Sequence, residues 1–176
     1  MTVALVRIRL DHAPALLAFE RENRAFFAAR VPDRGDAYFA EFAARHRELV
    51  GAQEAGEIHF HLLVDAAGAV LGRVNLVGVD PVAGTAELGY RLAEAATGRG
   101  LATSGVREVA RLAREEYGLR RLTAVVSHGN DASRAVLVRA GFGAVGAVTL
   151  EDGEPGTAYE LDLGGSGGRE RSGTSS

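Results

Sequence analysis

The stretch that most constrains the fold runs from Thr85 to Ser127. A strand pattern, Thr85 to Leu92, leads into "ATGRGLATSG" (96–105), then a helical period from about Gly100 to Tyr117, then the short apolar strand "RRLTAVVS". A strand–helix–strand step of this kind returns the chain to its sheet in the same direction, so the two strands are parallel. The strands before it behave differently. Ile58 to Val64, Val70 to Val79 and Thr85 to Leu92 are separated only by "DAAGA" and "DPVAG". These are hairpin-like connections, and they make an antiparallel meander. An antiparallel meander that ends in one parallel crossover is inconsistent with a doubly wound sheet.

The flanks complete the pattern. Val3 to Leu10 alternates as a strand does. "DHAPALLAFERENRAFFAARV" carries Pro14 near a helix start and apolar residues at helical spacing. "PDRGDAYFAEFAARHRELVGAQEAGE" reads as a second helix ending near Gly51. In the helix from Gly100, the residues Val106, Val109, Ala110, Ala113 and Tyr117 form the apolar face. Asp131 to Ala140 is a short helix stopped by Gly141, and Phe142 to Leu150 pairs with Thr157 to Leu163 across "EDGEPG". The order β-α-α-β-β-β-α-β-α-β-β has no internal repeat. It predicts one α/β domain over residues 1–163, a mixed, mostly antiparallel sheet of about six or seven strands flanked by helices. Residues 164–176, rich in Gly and Ser, are expected to form a disordered tail. The G-x-S-x-G match at Gly164 to Gly168 is not read as a nucleophile elbow, because no helical pattern follows it.

Composition removes several chemistries. The chain of 176 residues has no cysteine, which excludes disulfides, thiolate metal sites and a cysteine nucleophile. Its net charge of -3 argues against a dedicated nucleic-acid binder. His59 and His61 share a strand face, but no carboxylate stands at ligand spacing, so they read as packing residues and no metal is expected. "MTVALVRIRLDH" is interrupted by Arg7 and Arg9 and is no secretory signal. No apolar run approaches the roughly 20 residues that span a bilayer, and a soluble, cytoplasmic protein is expected.

The glycine stretch sits between a strand and the N-terminus of a helix. Unpaired backbone N–H groups and the positive end of the helix dipole meet there, an arrangement that accepts phosphate. It is not a P-loop, since Val106 and Arg107 follow Gly105 where Lys and Ser/Thr are needed. It is not a dinucleotide fingerprint, since Thr103 stands where the third glycine is required.

Three further segments decide among the remaining ligands. "TAELGYRL" precedes the loop, "TGRGLA" lies within it, and "GNDASRAVLVRAGF" follows one strand later. With these the chain resembles the GNAT acyl-CoA N-acetyltransferases, in particular the RimJ/RimL-type branch. The family's pyrophosphate loop, Q/R-x-x-G-x-G/A, is matched by Gly100 and Ala102, with Thr97 in place of Gln or Arg. The later N-x-x-S and G-F motifs are matched by Asn130, Ser133, Gly141 and Phe142, and "RENRAFFAARVPDR" is similar to the branch's N-terminal helix. The resemblance spans about residues 3 to 163.

The resemblance implies acetyl-CoA as co-substrate, no metal, and direct attack of a primary amine on the thioester in a ternary complex, with no covalent enzyme intermediate. The acceptor it implies is a protein or peptide N-terminus, with a small-molecule amine (antibiotic or polyamine) or a non-catalytic CoA-binding module as alternatives, in a monomer or homodimer. It implies that the strand up to Leu92 diverges from its parallel neighbour, so that pantetheine pairs with backbone near Tyr90, Arg91 and Leu92 and a backbone N–H there faces the acetyl oxygen. Gly98, Arg99, Gly100, Leu101, Ala102 and Thr103 would cradle the pyrophosphate, and Asn130 would fix the pantetheine. Ser133 is the candidate acid for the departing thiolate, because Leu137 stands where other branches place a tyrosine; the alternative is that Ser133 caps the short helix. Glu87, an acid in an otherwise apolar or small-residue strand, is the candidate base; the alternative is an exposed strand-face carboxylate. Phe26, Phe27, Tyr38 and Phe39 are expected in the core or the acceptor wall, and Arg24 and Arg30 near the acceptor.

Overall fold

The computed structural model describes residues 2–164. Seven strands form one sheet: β1 (Val3–Arg7), β2 (His59–Asp65), β3 (Val70–Asp80), β4 (Thr85–Leu92), β5 (Arg121–Ser127), β6 (Gly143–Thr149) and β7 (Pro155–Asp162). Their order is β1-β2-β3-β4-β5-β7-β6. Every pairing is antiparallel except β4 with β5, the strands joined by the crossover helix. The expected single α/β domain with a mostly antiparallel sheet and one parallel step is the fold found. The proposed tail lies, Gly164 apart, outside the described residues, as do Ser166 and Gly168 of the G-x-S-x-G match.

The N-terminal region departs from the reading as two helices. β1 ends at Arg7, and a short 3-10 turn (Leu10–His12) leads into four helices: α1 (Ala13–Glu22), α2 (Arg24–Ala28), α3 (Asp36–Ala40) and α4 (Phe42–Glu54). Asn23 causes the first break. Its side-chain amide donates to the Phe19 carbonyl at 2.9 Å, and its Oδ1 accepts from the Glu94 backbone N–H at 2.9 Å. A side chain that competes for backbone groups in this way interrupts a helix. α4 does not stop near Gly51. It runs to Glu54 and is closed off at Gly56 by a pair of bonds, Glu57 N–H to Ala52 C=O and Gly56 N–H to Gln53 C=O, both 3.0 Å. At α6 (Asp131–Arg139) the glycine stop is where the sequence puts it. Phe142 N–H reaches Leu137 C=O and Gly141 N–H reaches Val138 C=O.

The sheet separates two cores. On one face α5 (Leu101–Glu115) lays Val106, Val109, Ala110 and Ala113 against Val74, Leu76, Ala86 and Leu88. Gly105 permits the close approach: a Cβ there would lie 3.3 Å from Leu63 and Val74 side-chain carbons. On the other face α1, α2 and α4 bury Leu16, Phe19, Phe27, Phe42 and Val50 against Phe60 and Leu62. This second core also holds charge. Glu20 is 1% exposed and Arg73 6%.

Candidate active site

β4 and β5 pair only over Thr85–Glu87 and Arg121–Thr123. Beyond Glu87, β4 keeps its bonds to β3 as far as Leu92, while β5 continues with β7 alone. The parallel strands therefore splay, and one backbone edge of β4 from Leu88 onward opens onto a gap. Across the gap stands α6. The Tyr90 hydroxyl lies 2.7 Å from Ser133 Oγ and 3.2 Å from the Ser133 carbonyl. Burial raises the Tyr90 pKa, so the phenol stays neutral and can donate.

Asn130, not Ser133, caps α6. Its Oδ1 accepts the Ser133 backbone N–H at 3.2 Å. This corrects the alternative reading of Ser133 as the cap: the Ser133 side chain is turned to Tyr90 instead.

At the mouth of the gap the chain turns through Gly98 (φ 75°) and Gly100 (φ 72°), the latter directly preceding α5. Both lie in the left-handed region that favours glycine, and neither has protein within 4 Å of the position a Cβ would take. The first helical bond of α5 runs from Ser104 N–H to Gly100 C=O at 3.0 Å. The N–H groups of Leu101, Ala102 and Thr103 thus have no intrahelical acceptor and point out of the helix end. Bare backbone at a helix N-terminus is able to accept a phosphate group.

Gap and loop form one cavity of about 580 Å³, within the range of cofactor-sized clefts. Ten of the sequence-predicted residues line it together: Tyr90, Arg91, Leu92, Gly98, Gly100, Leu101, Ala102, Thr103, Asn130 and Ser133. Arg99 is exposed on the loop and outside the lining. Glu87 is also outside it. It is exposed, on the sheet face opposite Ala86 and Leu88. Phe26, Phe27 and Arg30 of the α2 region close one end of the cavity. Arg24 is held by Asp33 and Asp36 at 2.7 and 2.9 Å, and its side-chain hydrogen bonds to Asp33 hold that carboxyl down at about 2. The α6 wall, Ala132, Ala135, Val136 and Arg139, lines the cavity beyond the residues expected from the sequence. Their i, i+3, i+4, i+7 spacing after Asn130 was the available signal.

Arg91 sits at the junction of the two cores. Register pairs it with Arg73 on β3, and both reach Glu20 of α1, at 3.4 and 3.1 Å. Arg34 approaches the same carboxylate at 3.9 Å. Burial, then the charge of Arg34, pulls the Arg91 pKa down to about 10. His59 and His61 lie elsewhere, on the α5 face against Tyr117. The His59 ring stacks on Tyr117 at 3.6 Å, and His61 Nε2 meets the Tyr117 hydroxyl at 2.7 Å. Since His61 Nδ1 contacts the Val74 carbonyl, Nδ1 carries the proton and Nε2 accepts from the phenol. Among the described residues no group of three potential metal ligands occurs, and no helix is long and apolar enough to cross a membrane.

Residues 2–143 match the family described as acetyltransferase (GNAT) domain. The Bacillus subtilis protein YdaF, named as a ribosomal N-acetyltransferase, is 33% identical over 127 residues, which is 70% of this chain and 65% of that relative. The Vibrio fischeri ribosomal-protein-S5-alanine acetyltransferase superposes with a TM-score of 0.87 at 19% identity, over 93% of this chain and 94% of that one. Mycobacterium smegmatis RimJ, in complex with CoA-disulfide, superposes at 0.80 and 22% identity, over 91% of this chain and 81% of that one. A match over residues 2–143 covers most of the chain, and this chain therefore belongs to the GNAT acetyltransferase family, acyltransferases that use acetyl-CoA as co-substrate.

Proposed function

We propose that this protein moves the acetyl group of acetyl-CoA to the N-terminal amine of a protein or peptide. The observation that carries the reading is the cavity itself: a bare strand edge at Tyr90 to Leu92, a bare helix end at Leu101 to Thr103, and a hydroxyl pair, Tyr90–Ser133, facing one space. The pyrophosphate would lie on the α5 amides and the pantetheine along β4, with Asn130 holding the turn between them. The acceptor amine attacks the thioester carbonyl, the C–S bond breaks, and the sulfur leaves as a thiolate that needs one proton. Ser133 supplies it, and the neutral Tyr90 hydroxyl restores the serine. A β4 backbone N–H stabilises the charge on the acetyl oxygen.

The ammonium proton goes to Glu87, directly or through water. Glu87, Gly89 and Arg91 share one face of β4. Gly89 is exposed, with nothing within 4 Å of its missing Cβ. That leaves an open path over the strand beside the carboxylate. Charge supports a peptide over a polyamine: Arg30, Arg91 and Arg139 line the cavity against Glu94, and a cationic wall repels a polycation.

A thioester-cleavage assay with a peptide panel and spermidine tests the assignment. Peptide-dependent CoA release is expected. Ser133→Ala should lower kcat at least about tenfold, with a smaller change in the KM for acetyl-CoA, because an acid acts in the transition state. CoA binding without turnover of any amine would establish the non-catalytic alternative.

A further inference from the structure

We infer that the acceptor carries an anionic group one or two residues from its reacting amine, and that Arg91 is the residue that selects it. This rests on the peptide-acceptor reading above and goes further, because it fixes the charge of the acceptor.

Charge is unbalanced in this part of the core. Arg34, Arg73 and Arg91 converge on a single carboxylate, Glu20, in a part of the core where Glu20 is 1% exposed. Asp33, which lines the recess beside Glu20, and Asp36 are already committed. Asp33 and Asp36 both accept from Arg24, and Asp33 also accepts the Gly35 backbone N–H. Three guanidiniums therefore share one negative charge. At Arg73 the excess is shut away from water: the side chain is 8% exposed, its Nε has no acceptor, and the Oδ1 of the neighbouring buried Asn75 has no donor, whereas Arg34 is 29% exposed.

Of the three, Arg91 is the one that lines the large cavity. Its side chain is 19% exposed. Among the described residues Glu20 is its only hydrogen-bond acceptor, at 3.4 Å, and its guanidinium lies 4.9 Å over the Phe27 ring. A guanidinium offers five N–H donors, and the Glu20 contact uses one of them. The other charged groups at this end are Arg30, whose guanidinium stacks over Phe26, and Glu94, exposed on the turn after β4. The recess behind Arg91, lined by Glu20, Arg24, Asp33 and Arg34, holds about 10 Å³, room for one water and no more. An anion must therefore come from the cavity side.

The spacing sets the class of acceptor. Gly89, where the face of β4 is open, lies two residues from Arg91, about 7 Å along a strand. An amine over Gly89 places the side chain of the second or third residue of a peptide at the Arg91 fork. A carboxylate there would accept two parallel N–H bonds and neutralise part of the buried excess.

The test is the wild-type enzyme with N-terminal tetrapeptide amides that differ only at position two or three, bearing Asp, Asn or Lys. The Asp peptides should exceed the Asn peptides in kcat/KM by about tenfold or more, with the Lys peptides lowest. In Arg91→Gln, checked for folding by its thermal midpoint, the Asp-to-Asn ratio should fall toward one, while Arg91→Lys should keep part of it. Peptide turnover with equal rates for Asp and Asn, or a preference that survives in Arg91→Gln, overturns this inference and leaves the peptide reading standing. Turnover of spermidine with none of any peptide overturns both.

Discussion

On one side of the cleft, Gly98, Gly100 and the first turn of α5 present backbone to whatever binds there. On the other, Arg91, Arg73 and Arg34 crowd around Glu20. The first wall rests on an apolar core, where Val106, Val109 and Ala113 are fully buried against Val74 and Leu76. The second rests on a core that contains ions. A backbone site tolerates almost any side chain that keeps its dihedrals. A side-chain site is tied to charge, and a buried charge is stable only while its partner remains. The two walls should therefore fail differently.

The largest expected effect follows from removing the one carboxylate of the ionic wall. Glu20→Gln leaves three guanidiniums uncompensated and should cost about 3–5 kcal/mol of unfolding free energy. Val109→Ala on the α5 side should cost about 2 kcal/mol, the loss of buried methyls plus a small cavity. Urea titration of both variants makes the comparison. A Glu20→Gln protein as stable as Val109→Ala would show that the ionic wall is wetter than its burial indicates.

Acid should separate the two sides a second way. His59 and His61, beneath the far end of α5, are held neutral to about 4, by burial first and then by the charge of Arg7. Their ordinary pKa is 6.5, so below that value the unfolded chain takes up protons that the folded chain refuses. The stability they allow is complete above about pH 6.5 and is lost as pH falls toward 4. Between pH 7 and pH 5 a loss of about 2 kcal/mol is expected for each histidine. His61→Gln should flatten the slope of thermal midpoint against pH; an unchanged slope would assign the acid sensitivity to other groups.

The smallest effect is the most local. Gly100→Val should weaken acetyl-CoA binding about tenfold, or about 1.4 kcal/mol. A branched side chain is strained at φ 72° and covers the amides of α5. Because no protein atom lies within 4 Å of the new Cβ, Gly100→Ala should fold readily and lose less affinity. Equal acetyl-CoA affinity in wild type and Gly100→Val would remove this loop from the binding site.

The sequence by itself determined the features that depend on neighbours along the chain. Hairpin turns, the period of α5, the glycine at the entry to α5 and the Gly141 stop are all set within a few residues, where backbone sterics and capping act. That was enough to read the meander, the parallel crossover and the glycine turn that lines the cleft. Only the tertiary structure decided what depends on contacts between distant segments. Asn23 breaks the first helix because it binds Glu94 N–H, 71 positions away. Ser133 is turned from capping to Tyr90, 43 positions away. Glu20 of α1 meets Arg73 and Arg91 on neighbouring strands. In the sequence Glu20 is one acid in a helix of alternating charge, with nothing local to mark it as buried. Long-range pairing is set by sheet register and helix docking, and neither leaves a periodic trace in the segments it joins.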